Sequence, residues 1–453
     1  MSPFDPAAAT VASLAAALEA GSLTAEGLTA ACLERIAAED EALHAFVHVA
    51  AEPALATARA LDALRAAGTV LGPLQGIPVA LKDLIDVAGQ PSGYGSASAD
   101  PILPARSASL ARSLVNAGMI LIGKTHMTEY AYGSWGTNRH RGTPWNPVDR
   151  QVHRVPGGSS SGSAVAVAGG LVPAAIGTDS GGSVRIPAAL CGLVGYKPVR
   201  GTIPLDGVLA LSPSMDVAGP ICRSVADAAL VLDALRGRPA RPRPGPRAAD
   251  LEGLRVGTLA AAELEAMDAA VVAAYRAALG RLAEAGAYVR EAPLPGPFTE
   301  AAASVGTILS VESFAIHRDR LEAAGRAMDP AVLARIRAGG EVAAADYHAL
   351  LLEREADMAR FDPVFADIDV LVTPTVTAPA APVAEVDEAA SPMSRISRVS
   401  NWLDLPSLAL PCGRTGGGLP LSLQIVGPRD GEARVLRTGV AVEACLAAPE
   451  PAP

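Results

Sequence analysis

The chain has 453 residues, half of them apolar and 19% charged, and 37 basic against 47 acidic residues leave a net charge of −10. Such a length can bury a large core, and an acidic chain without a basic stripe is not built to hold nucleic acid. Five scattered cysteines (Cys32, Cys191, Cys222, Cys412 and Cys445) form no CxxC pair and no zinc spacing, so they read as reduced thiols of a cytoplasmic protein.

The first Lys or Arg is Arg35, and Glu19 interrupts the apolar run before it, so the N-terminus reads as an amphipathic helix rather than a secretion signal. No stretch approaches the roughly 18 apolar residues of a membrane span. Residues 8–65 are Ala-rich with Leu and Val at helical spacing, broken at Gly21 and Ser22. Residues 1–65 therefore form an N-terminal helical segment packed on a single domain, 66–453.

From there the pattern alternates. "IPVAL" (77–81) is a short buried strand with Lys82 and Asp83 at its C-terminal end. Residues 107–117 suit a helix and 119–125 a strand. "VPAAIGTD" (172–179), "LRVGTLA" (254–260), "DVLVTPT" (369–375) and "LPLSLQIVG" (419–427) read as further strands, with helices at 267–285 and 430–446. This alternation predicts an α/β fold: one α/β/α sandwich with a mixed, mostly parallel sheet. The Pro- and Arg-rich run 236–250 reads as an extended surface loop.

Two Ser/Gly clusters carry the chemistry. "GGSSSGSA" (157–164) packs four Ser and three Gly into eight positions. It lacks the Lys of a phosphate loop. Gly158, Ser160 and Gly162 satisfy GxSxG, but the preceding segment is polar rather than a strand, and the only downstream bases for an esterase elbow are His317 and His348. "GTDSGGSVRIPAALCGLVGYKP" (177–198) follows a strand. Its Gly181–Gly182 pair lets backbone N–H groups approach a ligand, with Ser183 placed to attack. A buried Lys of lowered pKa can activate such a serine without histidine.

"GIPVALKD" (76–83), with both clusters, resembles the amidase signature family. The order Lys, Ser, Ser and the 24-residue separation of Ser159 from Ser183 fit that family, as do "LSPSMDVAGP" (211–220) and "LPSLALPCG". The resemblance covers nearly the whole chain from about residue 10. It implies a Ser-cisSer-Lys triad. Ser183 would be acylated, and Ser159, after a cis peptide bond from Gly158, would relay protons to Lys82. The amides of Ser180, Gly181, Gly182 and Ser183 would hold the oxyanion. Asp83 is taken to face away from the Lys82 amine. Ser161 stands where the family loop usually has Gly, adding a side chain to a tight turn. Ser160, Asp179 and Arg185 are supporting residues: Asp179 either caps or braces the turn or takes part in catalysis, and Arg185 pairs with a buried carboxylate or carbonyl rather than with substrate. Cys191 reads as a core thiol.

The implied activity is hydrolysis of an amide or carbamate C–N bond, with ester cleavage as a side activity, no cofactor and no metal. Three other readings stand beside it: a glutaminase subunit of a tRNA-dependent amidotransferase, an esterase of the Ser-His-Asp type, and an inactive scaffold. The segment 200–220 departs from the pattern of the amidotransferase component. Loops 126–145 and parts of 300–350 and 395–405 are expected to line the pocket, favouring an apolar or aryl group, with Tyr130, Tyr132 and Trp135 either lining it or packed in the core. Aryl acylamides and urethanes are the candidate substrates. His126, His140 and His153 read as loop or surface residues. The expected partner is a small molecule, with no nucleic acid and no membrane, and the protein a monomer or homodimer.

Overall fold

The computed structural model describes residues 8–97, 100–237, 248–324, 327–388 and 392–447. Most of the expected loop 236–250 lies outside the described residues. The N-terminal helices follow local rules. Thr10 caps Val11–Glu19 by accepting from the Ser13 N–H, while the Ser13 hydroxyl accepts from the Thr10 N–H. Thr24 caps Ala25–Leu43 by accepting from the Gly27 N–H, with no reciprocal bond.

Eleven strands join one sheet among the described residues: β1 (Phe46–Val49), β2 (Pro78–Lys82), β3 (Ile120–Thr125), β4 (Ala174–Asp179), β5 (Val194–Lys197), β6 (Val217–Cys222), β7 (Arg255–Thr258), β8 (Tyr288–Glu291), β9 (Val370–Pro374), β10 (Ser407–Arg414) and β11 (Pro420–Val426). Their order is β1-β3-β2-β4-β6-β5-β10-β11-β9-β7-β8. The α/β class and the mixed sheet are as expected; the balance of directions is not. Six pairings are antiparallel and four parallel. The reason is local. β5, β6, β10 and β11 follow one another across the middle of the sheet without a parallel crossover. The segment before residue 65 is also not wholly helical, because β1 pairs antiparallel with β3 at the sheet edge.

The strands that matter for the site are fully buried, β2 and β4 at every residue. They run parallel, Leu81 opposite Ile176, so their C-terminal ends open on the same edge. Ligand crevices of parallel α/β sheets lie at that edge. The helix Ser161–Ala168 packs on both strands. All five cysteines are free. Among the described residues no helix is long and apolar enough to cross a membrane.

Candidate active site

The last residue of β2 is Lys82, and its side chain is fully buried. Its amine donates to the Ser159 hydroxyl at 2.7 Å and to the Thr178 hydroxyl at 2.9 Å. Burial lowers its pKa to about 7, while the charges of Asp216 and Asp179 oppose that shift. Asp83 does face away. Its carboxylate lies 3.5 Å from the Lys124 amine and accepts from the Gly93 and Gly95 amides.

Ser159 sits in the turn before the helix Ser161–Ala168, and the Gly158–Ser159 peptide is cis. The turn is thin because other backbone crowds it. A Cβ on Gly158 would lie 2.7 Å from Gly136 Cα and 2.9 Å from the Gly133 carbonyl oxygen. Ser161 is the first residue of the helix; its hydroxyl is buried and meets no partner among the described residues.

The second cluster leaves the end of β4 as a braced turn. Arg185 donates to both Asp179 carboxylate oxygens, at 2.9 and 3.0 Å. Burial alone would raise the Asp179 pKa; the Arg185 guanidinium holds it well below the usual carboxylate range. Asp179 in turn accepts from the Gly182 amide at 2.7 Å and the Val184 amide at 3.2 Å. The Gly182 N–H is therefore committed to Asp179, which departs from its expected place in an oxyanion hole. The amides of Gly181 and Ser183 have no acceptor among the described residues. Gly182 has φ +122°, and a Cβ there would strike the Ser397 hydroxyl at 2.2 Å.

Ser183 opens on a cavity with Ser180, Gly181, Tyr132, Leu211, Leu309, Arg335 and Arg398 among its lining. All three expected loop regions contribute to it. Of the three expected aromatic residues only Tyr132 lines it, with its hydroxyl 2.8 Å from that of Ser310. Tyr130 packs against His317, and Trp135 belongs to a separate apolar cluster with Val155 and Met393. Two guanidinium groups also make the lining less apolar than expected.

The elbow reading does not hold. The Ser160 hydroxyl is buried against backbone, donating to the Thr178 carbonyl and accepting from the Thr178 amide, both at 3.3 Å. His317 is buried beside Tyr130 and Arg320, and His348 is exposed on another helix. His126, expected in a loop or on the surface, follows β3 in a loop but is fully buried. Cys191 is a buried core thiol whose pKa is pushed up by burial.

Sequence reasoning missed Thr178, Asp216, Asn401 and the two cavity arginines. Asp216 accepts from the Ser180 hydroxyl and from the Leu211 and Ser212 amides. Asn401 donates to the Asp179 carbonyl and carboxylate. Thr178 shares its strand with Asp179, but only the β2–β4 pairing brings it to Lys82.

The buried Lys82–Ser159 pair thus lies at the C-terminal edge of the parallel strands, beside the cavity that Ser183 lines. The family described as Amidase matches residues 27–436, so the chain belongs to the amidase signature family and is a hydrolase of C–N bonds. It is 38% identical over 470 residues to a glutamyl-tRNA(Gln) amidotransferase component from Chloroflexus aggregans, covering 96% of both chains. It is 36% identical over 449 residues to the 2-amino-5-chloromuconic acid deaminase of Comamonas testosteroni, again over 96% of each. A crystal structure of an amidase superposes with a TM-score of 0.87 at 33% identity, over 96% of this chain and 99% of that one.

Proposed function

We propose that the chain is an amide hydrolase that works alone, through an acyl-enzyme on Ser183. The observation that carries this reading is the buried 2.7 Å contact between Lys82 and Ser159, with an amine whose pKa lies near neutrality. With the amine neutral, the Ser159 O–H donates to Nζ, and Thr178 keeps the amine oriented. Ser183 loses its proton to Ser159 as Ser159 passes its own to Lys82, and the Ser183 oxygen bonds to the carbonyl carbon. The Gly181 and Ser183 amides stabilise the oxyanion. The proton on Lys82 returns through Ser159 to the departing nitrogen, the C–N bond breaks, and water releases the acid by the reverse route. Carbamates and esters fit the same steps.

The names of several relatives favour a second reading, the ammonia-releasing component of an amidotransferase. A panel of primary amides, anilides, carbamates, esters and glutamine, offered to the purified chain, separates the two. Turnover of non-glutamine amides by the chain alone is the expected result. Activity confined to glutamine and dependent on a second protein would overturn it.

A further inference from the structure

Arg398 enters the cavity of Ser183 from the helix Ser397–Trp402. Its stem lies over Gly181, where an added Cβ would sit 3.2 Å from Arg398 Cγ. Its Nη1 donates to the Ala302 carbonyl at 3.1 Å, and its buried Nε donates to nothing among the described residues. Arg335, the other cavity guanidinium, has Glu388 beside it, whereas Arg398 forms no ion pair among the described residues. Burial works against the Arg398 charge, and nearby Arg335 adds to that, with only Tyr132 opposing. A desolvated guanidinium with a free donor edge is costly unless an anion completes it. Its planar fork matches a carboxylate. Leu211 and Leu309 share the cavity and offer apolar wall to a short carbon chain.

We propose that the substrate is an amide carrying a carboxylate a few bonds from the scissile carbonyl, and that Arg398 binds this carboxylate while Ser183 faces the amide. This rests on the hydrolase reading above. It narrows the substrate from apolar or aryl amides to short amido acids.

The test uses the purified full chain and three matched pairs: malonamate with propanamide, succinamate with butanamide, and glutaramate with pentanamide. Charge-assisted hydrogen bonds of this kind correspond to roughly 10–100-fold in binding. At least one acid should exceed its neutral partner in kcat/KM by about that factor. Arg398→Met should remove most of the preference through KM, and Arg398→Lys should restore part of it. Equal rates within all three pairs, or an undiminished preference in Arg398→Met, would overturn the assignment. Calorimetric binding of the same compounds to Ser183→Ala gives an independent readout. If no compound is hydrolysed, the hydrolase reading is decided by the wider panel above, and Arg398 is judged on binding alone. Binding of an acid but not its neutral partner, lost in Arg398→Met, then supports the assignment, and its absence overturns it.

Discussion

The Lys82 amine lies 2.7 Å from the Ser159 hydroxyl, deep in the protein, with hydroxyls rather than carboxylates as its hydrogen-bond partners. An exposed lysine at pH 7 is almost wholly charged, with a pKa near 10.4. Burial brings this one to about 7. In the proposed mechanism the neutral amine is the base, so kcat/KM should rise with pH through about 7 and level off above it. Lys82→Arg should lose at least about 100-fold, because guanidinium stays charged. A flat profile from pH 6 to 8, or a near wild-type Lys82→Arg enzyme, would remove Lys82 from the proton path.

The Asp179–Arg185 pair should matter first for stability. Both side chains are fully buried, and Asp179 also holds the Gly182 and Val184 amides. Arg185→Met leaves a buried carboxylate without its countercharge, a loss of about 3–5 kcal/mol. Denaturant unfolding should show it as a lower midpoint. A change under about 1 kcal/mol would mean that Asn401 and the backbone amides suffice.

Gly158 tests the thin turn. A Cβ there meets the backbone of Gly136 at 2.7 Å, and neither segment can move as a side chain would. Gly158→Ala should displace Ser159 from Lys82 and lower kcat by about 100-fold, as misplacements near 1 Å do. Unchanged kcat with an unchanged pH profile would show that the turn tolerates the shift.

Much of this was legible in the sequence because it is local. The strand ending in Lys82, the two Ser/Gly clusters and most helices announce themselves by composition and punctuation. β1, a four-residue strand between helices, was hidden in an Ala-rich stretch that reads as helix throughout. The antiparallel share of the sheet was hidden because β5 and β10 find their partners far along the chain. Thr178 and Arg398 went unseen for the same reason. Thr178 reaches the site through the β2–β4 pairing and Arg398 from a helix more than 200 residues after Ser183, neither of which periodicity encodes, whereas Asp179 and Arg185 are six residues apart and both were read as supporting residues of one turn.

The proposed nucleophile gives the most direct measurement. The chain is treated with a fluorophosphonate, digested and mapped by mass spectrometry, beside Ser183→Ala. The expected result is one adduct, on the peptide holding Ser183, absent from the variant and formed faster as pH rises through about 7. An adduct on Ser160, or one that persists in Ser183→Ala, would contradict the mechanism built on Lys82, Ser159 and Ser183.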